Sequence, residues 1–237
     1  MSHRSEHGNG SAQPIIASAM LIAALGLASR FLGLIRDRAF AVTYGAGPTM
    51  DAYLTAFRIP DFLFNLLGLG ALTAAFLPVY VRLRGSQPDR AHAFASTVLS
   101  DVVLALTVLC GIGALTAAPL FRILAPGFSD IQLAETIVLG RIMFIGSFLL
   151  GASTVFGGIL QAEHRFAAFA LAPLAYNVGI IIGVLLIAPV IGSVGLAWGV
   201  VLGALLHAII QAIAARRKGF RPTWRPMWRD ADVRRTA

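Results

Sequence analysis

Charge is what this sequence has least of. Only 13% of its 237 residues are Asp, Glu, Lys or Arg, whereas a water-soluble domain carries about a quarter. A chain so poor in charge cannot clothe a globular surface, and a cytosolic enzyme is excluded. Cysteine is scarcer still: Cys110 is the single one and lies in an apolar run. That excludes an intrachain disulfide and a cysteine-based metal site, and it reads as a buried thiol. Walker loops, His-Glu-x-x-His pairs and a convergent nucleophile–base set are also missing, so no enzyme chemistry, metal or cofactor is expected. Nucleic acid is excluded as a partner. The formal net charge of +8 would have to line a water-exposed groove, and this composition has little surface for one.

What the sequence has instead is apolar residues, 57% of the chain, with a mean hydropathy of +0.79. A transmembrane helix needs roughly 20 such residues, so the supply suffices for about six crossings. Turn-forming breaks mark six segments: 14–42, 51–81, 93–118, 134–160, 167–188 and 194–215. The fold class predicted is all-α, a polytopic membrane protein. Residues 1–13 form a cytoplasmic tail, 14–215 a six-helix membrane lobe, and 216–237 a basic cytoplasmic tail or connector. The first apolar run lacks a signal-peptide cleavage site and is followed by more, so it is taken as the first span.

The basic residues set the orientation. With the N-terminus inside, Arg4, Arg82, Arg84, Arg90, Arg165, Lys218 and seven tail arginines face the cytoplasm, and Arg122 alone faces out. This is a positive-inside pattern. In the tail, arginines interleave with Trp224 and Trp228, which suits anionic membrane lipids and the interfacial zone; an amphipathic connector to another membrane half is the other reading.

Five arginines remain inside the segments: Arg30, Arg36, Arg38, Arg58 and Arg141. Arg30 lies about 24 Å along a straight helix from the start of its run, deep in the bilayer. Burying one there costs roughly 2.5–3.5 kcal/mol on the insertion scale unless it meets water or partners. Arg30 and Asp37 are seven apart, nearly on one helix face, with Gly33 between them. Asp51 and Arg58 repeat the spacing with the signs exchanged, followed by Asp61, and Pro60 should kink the second helix. Both stripes are expected to face one cavity. Snorkelling anchors, with Asp51 as an N-cap, are the alternative. The cation excess and the bidentate fork of guanidinium point to a phosphate or pyrophosphate headgroup.

Other polar positions read as structural. Gly195, Gly199 and Gly203 recur every four residues ahead of His207, and Gly179 and Gly183 flank a similar face beside Asn177; both suit close helix packing. Asp101 is expected to reach Arg82 or Arg84, and Arg141 the outer interface.

Several motifs occur in order along the chain: Ser29-Arg30-x-Leu32-Gly33-x-x-Arg36-Asp37, Gly45-Ala46-Gly47-x-x-x-Asp51-Ala52 and Ala56-Phe57-Arg58-x-Pro60. Gly70-Ala71-Leu72, Ala75-Phe76-x-Pro78 and Ala125-Pro126-Gly127-Phe128 follow, then Gly158-Ile159-Leu160-Gln161, Arg165-Phe166, Ala172-Pro173, Asn177 and Gly195-Leu196-Ala197-Trp198. Together these motifs resemble the MurJ (MviN) family of lipid II flippases in the multidrug, oligosaccharidyl-lipid and polysaccharide exporter superfamily. The resemblance spans about residues 15–215.

It implies a transporter rather than an enzyme, moving lipid II, the undecaprenyl-pyrophosphate-linked peptidoglycan precursor, across the bacterial cytoplasmic membrane by alternating access. Arg30, Arg36 and Arg58 are implied as substrate-binding, and Asp37 and Asp51 as cavity ion-pair or gate residues. An arginine that some members carry on the second helix aligns with Phe64, a departure. Members resemble two six-helix lobes plus further helices, so the chain looks like the N-terminal lobe, expected to need a C-terminal lobe to act. An exporter of another polyprenyl-linked saccharide and a non-transporting scaffold derived from such a lobe stand as alternatives.

Overall fold

Local chemistry turns the breaks into helix ends. Pro48 and Pro88 open their helices, where a missing amide hydrogen costs nothing, and the Ser129 hydroxyl accepts from the Gln132 amide at 3.3 Å to cap another. The computed structural model describes residues 12–66 and 73–227, with side chains described from Met20 onward except at residues 73 and 74. Residues 1–11, the Gly70-Ala71-Leu72 motif, Trp228 and the last three arginines lie outside the described residues.

The described residues form helices and no strands. In order they are α1 (Ala12–Thr43), α2 (Pro48–Phe64), α3 (Thr73–Ser86), α4 (Pro88–Leu115) and α5 (Ala117–Leu124), then α6 (Asp130–Ala162) and α7 (Phe166–Ile182). A π-helical stretch (Gly183–Ile187) joins α7 to α8 (Ala188–Ile191), and α9 (Val194–Arg216) follows. Four stretches are long and apolar enough to cross a membrane: α4, α6, Phe166–Ile191 and α9. The two charged segments expected from the sequence appear as α1 and as α2 and α3, which lie either side of residues 67–72. Helix α2 runs through Pro60 to Phe64.

Helix α6 is the hub. It packs against α9, α2 and α4; α9 in turn packs along α7, and α1 rests on α7. Two buried clusters mark the ends of the bundle. One joins Phe40, Tyr53, Met143, Ile180 and Val200; the other joins Phe76, Tyr80, Ile159, Ala215 and Phe220. The second end gathers Arg84, Arg90, Arg165, Arg217 and Lys218 through the chain's up-and-down course. The α7–α9 seam is as tight as the glycine spacing predicts. A Cβ built on Gly199 would lie 2.6 Å from the Gly183 Cα, so only glycine lets these backbones meet.

Candidate functional site

Helices α1 and α2 touch little of each other. They meet at the turn, where Gly45 takes the left-handed conformation (φ +61°) and the Phe40 ring packs tilted against Tyr53 with centroids 4.9 Å apart. Between them opens a cavity of about 340 Å³ whose lining includes Arg36, Asp37, Met50, Tyr53, Phe57 and Ile180. Its walls are apolar and aromatic, and its charge comes from α1.

Arg36 is the best-held charge in the site. Its Nε and one terminal nitrogen donate to Asp37 Oδ1 at 3.0 and 2.8 Å, and the other terminal nitrogen donates to Asn177 Oδ1 at 3.0 Å. The Asn177 amide is itself oriented, donating through Nδ2 to the Pro173 carbonyl at 3.1 Å. A guanidinium presents five N–H donors; three are used, leaving two to meet an acceptor in the cavity. The expected pairing of an α1 arginine with Asp37 is present, but the arginine is the adjacent Arg36. Asn177, read from the sequence as part of a packing face, is the second anchor.

The other expected site residues stand apart from this cluster. Arg30, Arg38 and Arg58 are exposed, and among the described residues none enters an ion pair. Asp51 is exposed in the first turn of α2, where a carboxylate favours the helix dipole, and the N-cap position belongs to Gly47. Asp61 accepts from Asn65 Nδ2 at 2.9 Å. The structure therefore gathers Arg36 and Asp37 at one cavity, places Arg30 along the same helix, and sets Arg58 and Asp51 on α2.

A second cavity, about 450 Å³, lies among α2, α6, α7 and α9, lined in part by Phe64, Gln161, Tyr176, His207 and Gln211. Ser153 joins the last two: its hydroxyl donates to Gln211 Oε1 and lies 2.8 Å from His207 Nδ1. His207 is thus a hydrogen-bonded residue, as its place on the glycine face suggested, but it also faces a cavity.

Two pairings missed by sequence reading fix the charged end. Arg84 Nε donates to Glu163 Oε1 at 2.5 Å, tying α3 to α6. Asp101 reaches neither Arg82 nor Arg84; its carboxylate accepts the Met227 amide at 3.0 Å. The extended tail needs acceptors there, and Thr223 and Arg225 find theirs in Ser96 and Ser100. At the other end Arg141 Nε donates to the Ala114 carbonyl at 3.1 Å, satisfying the C-terminal turn of α4.

A family model described as Lipid II flippase MurJ matches residues 40–237; Arg30, Arg36 and Asp37 precede that range. The chain is 34% identical over 187 residues to a probable lipid II flippase MurJ of Bdellovibrio bacteriovorus, covering 77% of this chain and 36% of the relative. It is 31% identical over 173 residues to the lipid II flippase MurJ of Burkholderia cenocepacia, covering 72% of this chain and 34% of that protein. A solved structure, a lipid II flippase MurJ in an inward closed conformation, superposes with a TM-score of 0.73 at 25% identity, covering 87% of this chain and 43% of that one. The chain spans about a third of the length of these curated relatives.

Proposed function

Because the chain belongs to the lipid II flippase MurJ family, we propose that it forms the substrate-binding N-terminal lobe of a transporter. That transporter moves the undecaprenyl-pyrophosphate-linked peptidoglycan precursor from the inner to the outer leaflet of the bacterial cytoplasmic membrane. The observation that carries the reading is Arg36, half-buried, fixed by Asp37 and Asn177, and opening two unused N–H donors onto the α1–α2 cavity. A preset guanidinium fork at the edge of an apolar cavity suits a pyrophosphate attached to a lipid.

In this reading Arg36 is the inner anchor of the diphosphate. Arg30, two turns earlier on α1, and Arg58, on α2, converge on the same headgroup once it enters. Asp37 holds the fork in place, and Asp51 belongs to the gate at the α1–α2 turn. Six crossings place both termini in the cytoplasm, as the distribution of basic residues favours. The basic tail then meets anionic headgroups of the inner leaflet. Transport requires a C-terminal lobe to supply the facing wall, because relatives extend well beyond the matched residues.

Lipid II binding to the purified chain in nanodiscs tests the assignment. Arg30→Ala and Arg36→Ala should each weaken it strongly. Unchanged binding in both would defeat the site. Restored growth of flippase-depleted cells by this chain alone would defeat the need for a second lobe.

A further inference from the structure

At the charged end of the bundle, away from the α1–α2 cavity, the N-terminal turns of α7 and the last turns of α9 enclose a groove of about 560 Å³. Its mouth carries Arg165, Arg217 and Lys218, and its floor is built from Leu171, Ile210 and Ile213, with no acidic residue in the lining. The nearest carboxylate in sequence, Glu163, is taken by Arg84. Among the described residues none of the three cations enters an ion pair.

The order of these residues along the helices gives the groove a direction. The cations at 217 and 218 stand just past the end of α9, and the apolar floor at 210 and 213 lies in its last turns; at 1.5 Å per residue the two ends lie about 12 Å apart. At α7 the same order runs from Arg165, at its N-cap, to Leu171. One end therefore offers three positive charges at the membrane surface, and the other leads along exposed apolar side chains into the bilayer. Leu171 and Ile213 are 43% and 47% exposed, so this floor is open to an occupant. A free anion would use only the mouth. An amphiphile with a phosphate head and acyl chains fills both parts, and basic pockets between transmembrane helices bind such headgroups.

We propose that the α7–α9 groove is a binding site for an anionic glycerophospholipid, with its phosphate held by Arg165, Arg217 and Lys218 and an acyl chain laid over Leu171, Ile210 and Ile213. The site is independent of the diphosphate site on α1: it uses other helices and faces another part of the bundle. It stands or falls without reference to the transported substrate.

Native mass spectrometry of the full chain, released from mixed micelles containing phosphatidylglycerol and phosphatidylcholine, counts retained lipid directly. Replacing the three cations together (Arg165→Gln, Arg217→Gln, Lys218→Gln) should lower phosphatidylglycerol retention about tenfold, since each basic residue near the surface contributes appreciably. A control variant that removes positive charge at the same end outside the basic tail (Arg82→Gln, Arg90→Gln) should retain it. Ala214→Trp, which fills the groove and leaves the cations in place, should lose it as well. Circular dichroism of each variant in phosphatidylcholine alone checks the fold. Equal loss in the control, or retention in both the cation and the groove-filling variants, would overturn the site. Displacement of phosphatidylglycerol by millimolar inorganic phosphate would overturn the lipid assignment in favour of a free-anion site.

Discussion

The side-chain oxygen of Asn177 accepts a hydrogen bond from Arg36, 141 residues away in the chain, at 3.0 Å. The Asn177 amide nitrogen donates to the Pro173 carbonyl, which holds the side chain with its oxygen toward α1. This makes Asn177 a positioning residue for the guanidinium. A hydrogen bond to a charged group contributes about 1.5–3 kcal/mol, so Asn177→Ala should weaken lipid II binding about tenfold or more. Arg36→Ala combined with Asn177→Ala should bind no worse than Arg36→Ala alone, since the asparagine acts only through the arginine. Titration of the four proteins with lipid II in nanodiscs measures the cycle. Additive losses would show that Asn177 acts by another route.

The α7–α9 seam should be intolerant of any side chain. Gly183 and Gly199 approach so closely that Gly199→Val would force the helices apart, and overpacking of this kind costs typically 1–3 kcal/mol. Gly111, in α4, has nothing within 4 Å of its Cβ position, so Gly111→Ala should be neutral or stabilise by up to about 1 kcal/mol through helix propensity. Thermal unfolding in detergent distinguishes the two substitutions.

The C-terminal tail should loosen without its acceptors. Thr223, Arg225 and Met227 donate backbone amides to Ser96, Ser100 and Asp101 on α4, and Phe220 is fully buried at the start of this stretch. Each such bond contributes about 0.5–1.5 kcal/mol. Ser100→Ala with Asp101→Ala should therefore raise amide exchange across 221–227 by roughly tenfold, while exchange in α6 stays unchanged. Hydrogen–deuterium exchange with peptide-level readout measures both regions.

These relationships differ in how far the sequence announces them. Helix positions were legible because apolar runs end at Pro, Gly and Ser, whose backbone chemistry is local. Arg36 and Asp37 were legible because charge inside an apolar helix is costly wherever it lies. Their partner Asn177 was not, since hydropathy does not say which helix α1 rests on. The stripe from Arg30 to Asp37 illustrates the same limit: a common face is a property of one helix, but Asp37 pairs with its neighbour Arg36. Charge alone matches Asp101 to Arg82 or Arg84. The tail's Pro222 and Pro226 favour an extended path instead, and its unsatisfied amides claimed the carboxylate, while Arg84 took Glu163.

Phe64 offers a gain-of-function test of the diphosphate site. The family resemblance implies an arginine in some members at this position, and here Phe64 lines the 450 Å³ cavity among α2, α6, α7 and α9. That cavity holds no charged residue, but Gln161, Gln211, Thr154 and His207 supply polar atoms around it. A guanidinium introduced by Phe64→Arg would find both room and acceptors, which is what lets an arginine persist inside a membrane bundle. The substitution should leave the fold intact and strengthen lipid II binding several-fold. The gain should shrink as ionic strength rises, because an added cation acts on the diphosphate partly through a screened field. Binding isotherms at two salt concentrations, with Phe64→Leu as the size control, measure it. An equal gain in Phe64→Leu would assign the effect to freed volume, and no gain in Phe64→Arg would mean that the diphosphate never approaches α2 at this depth.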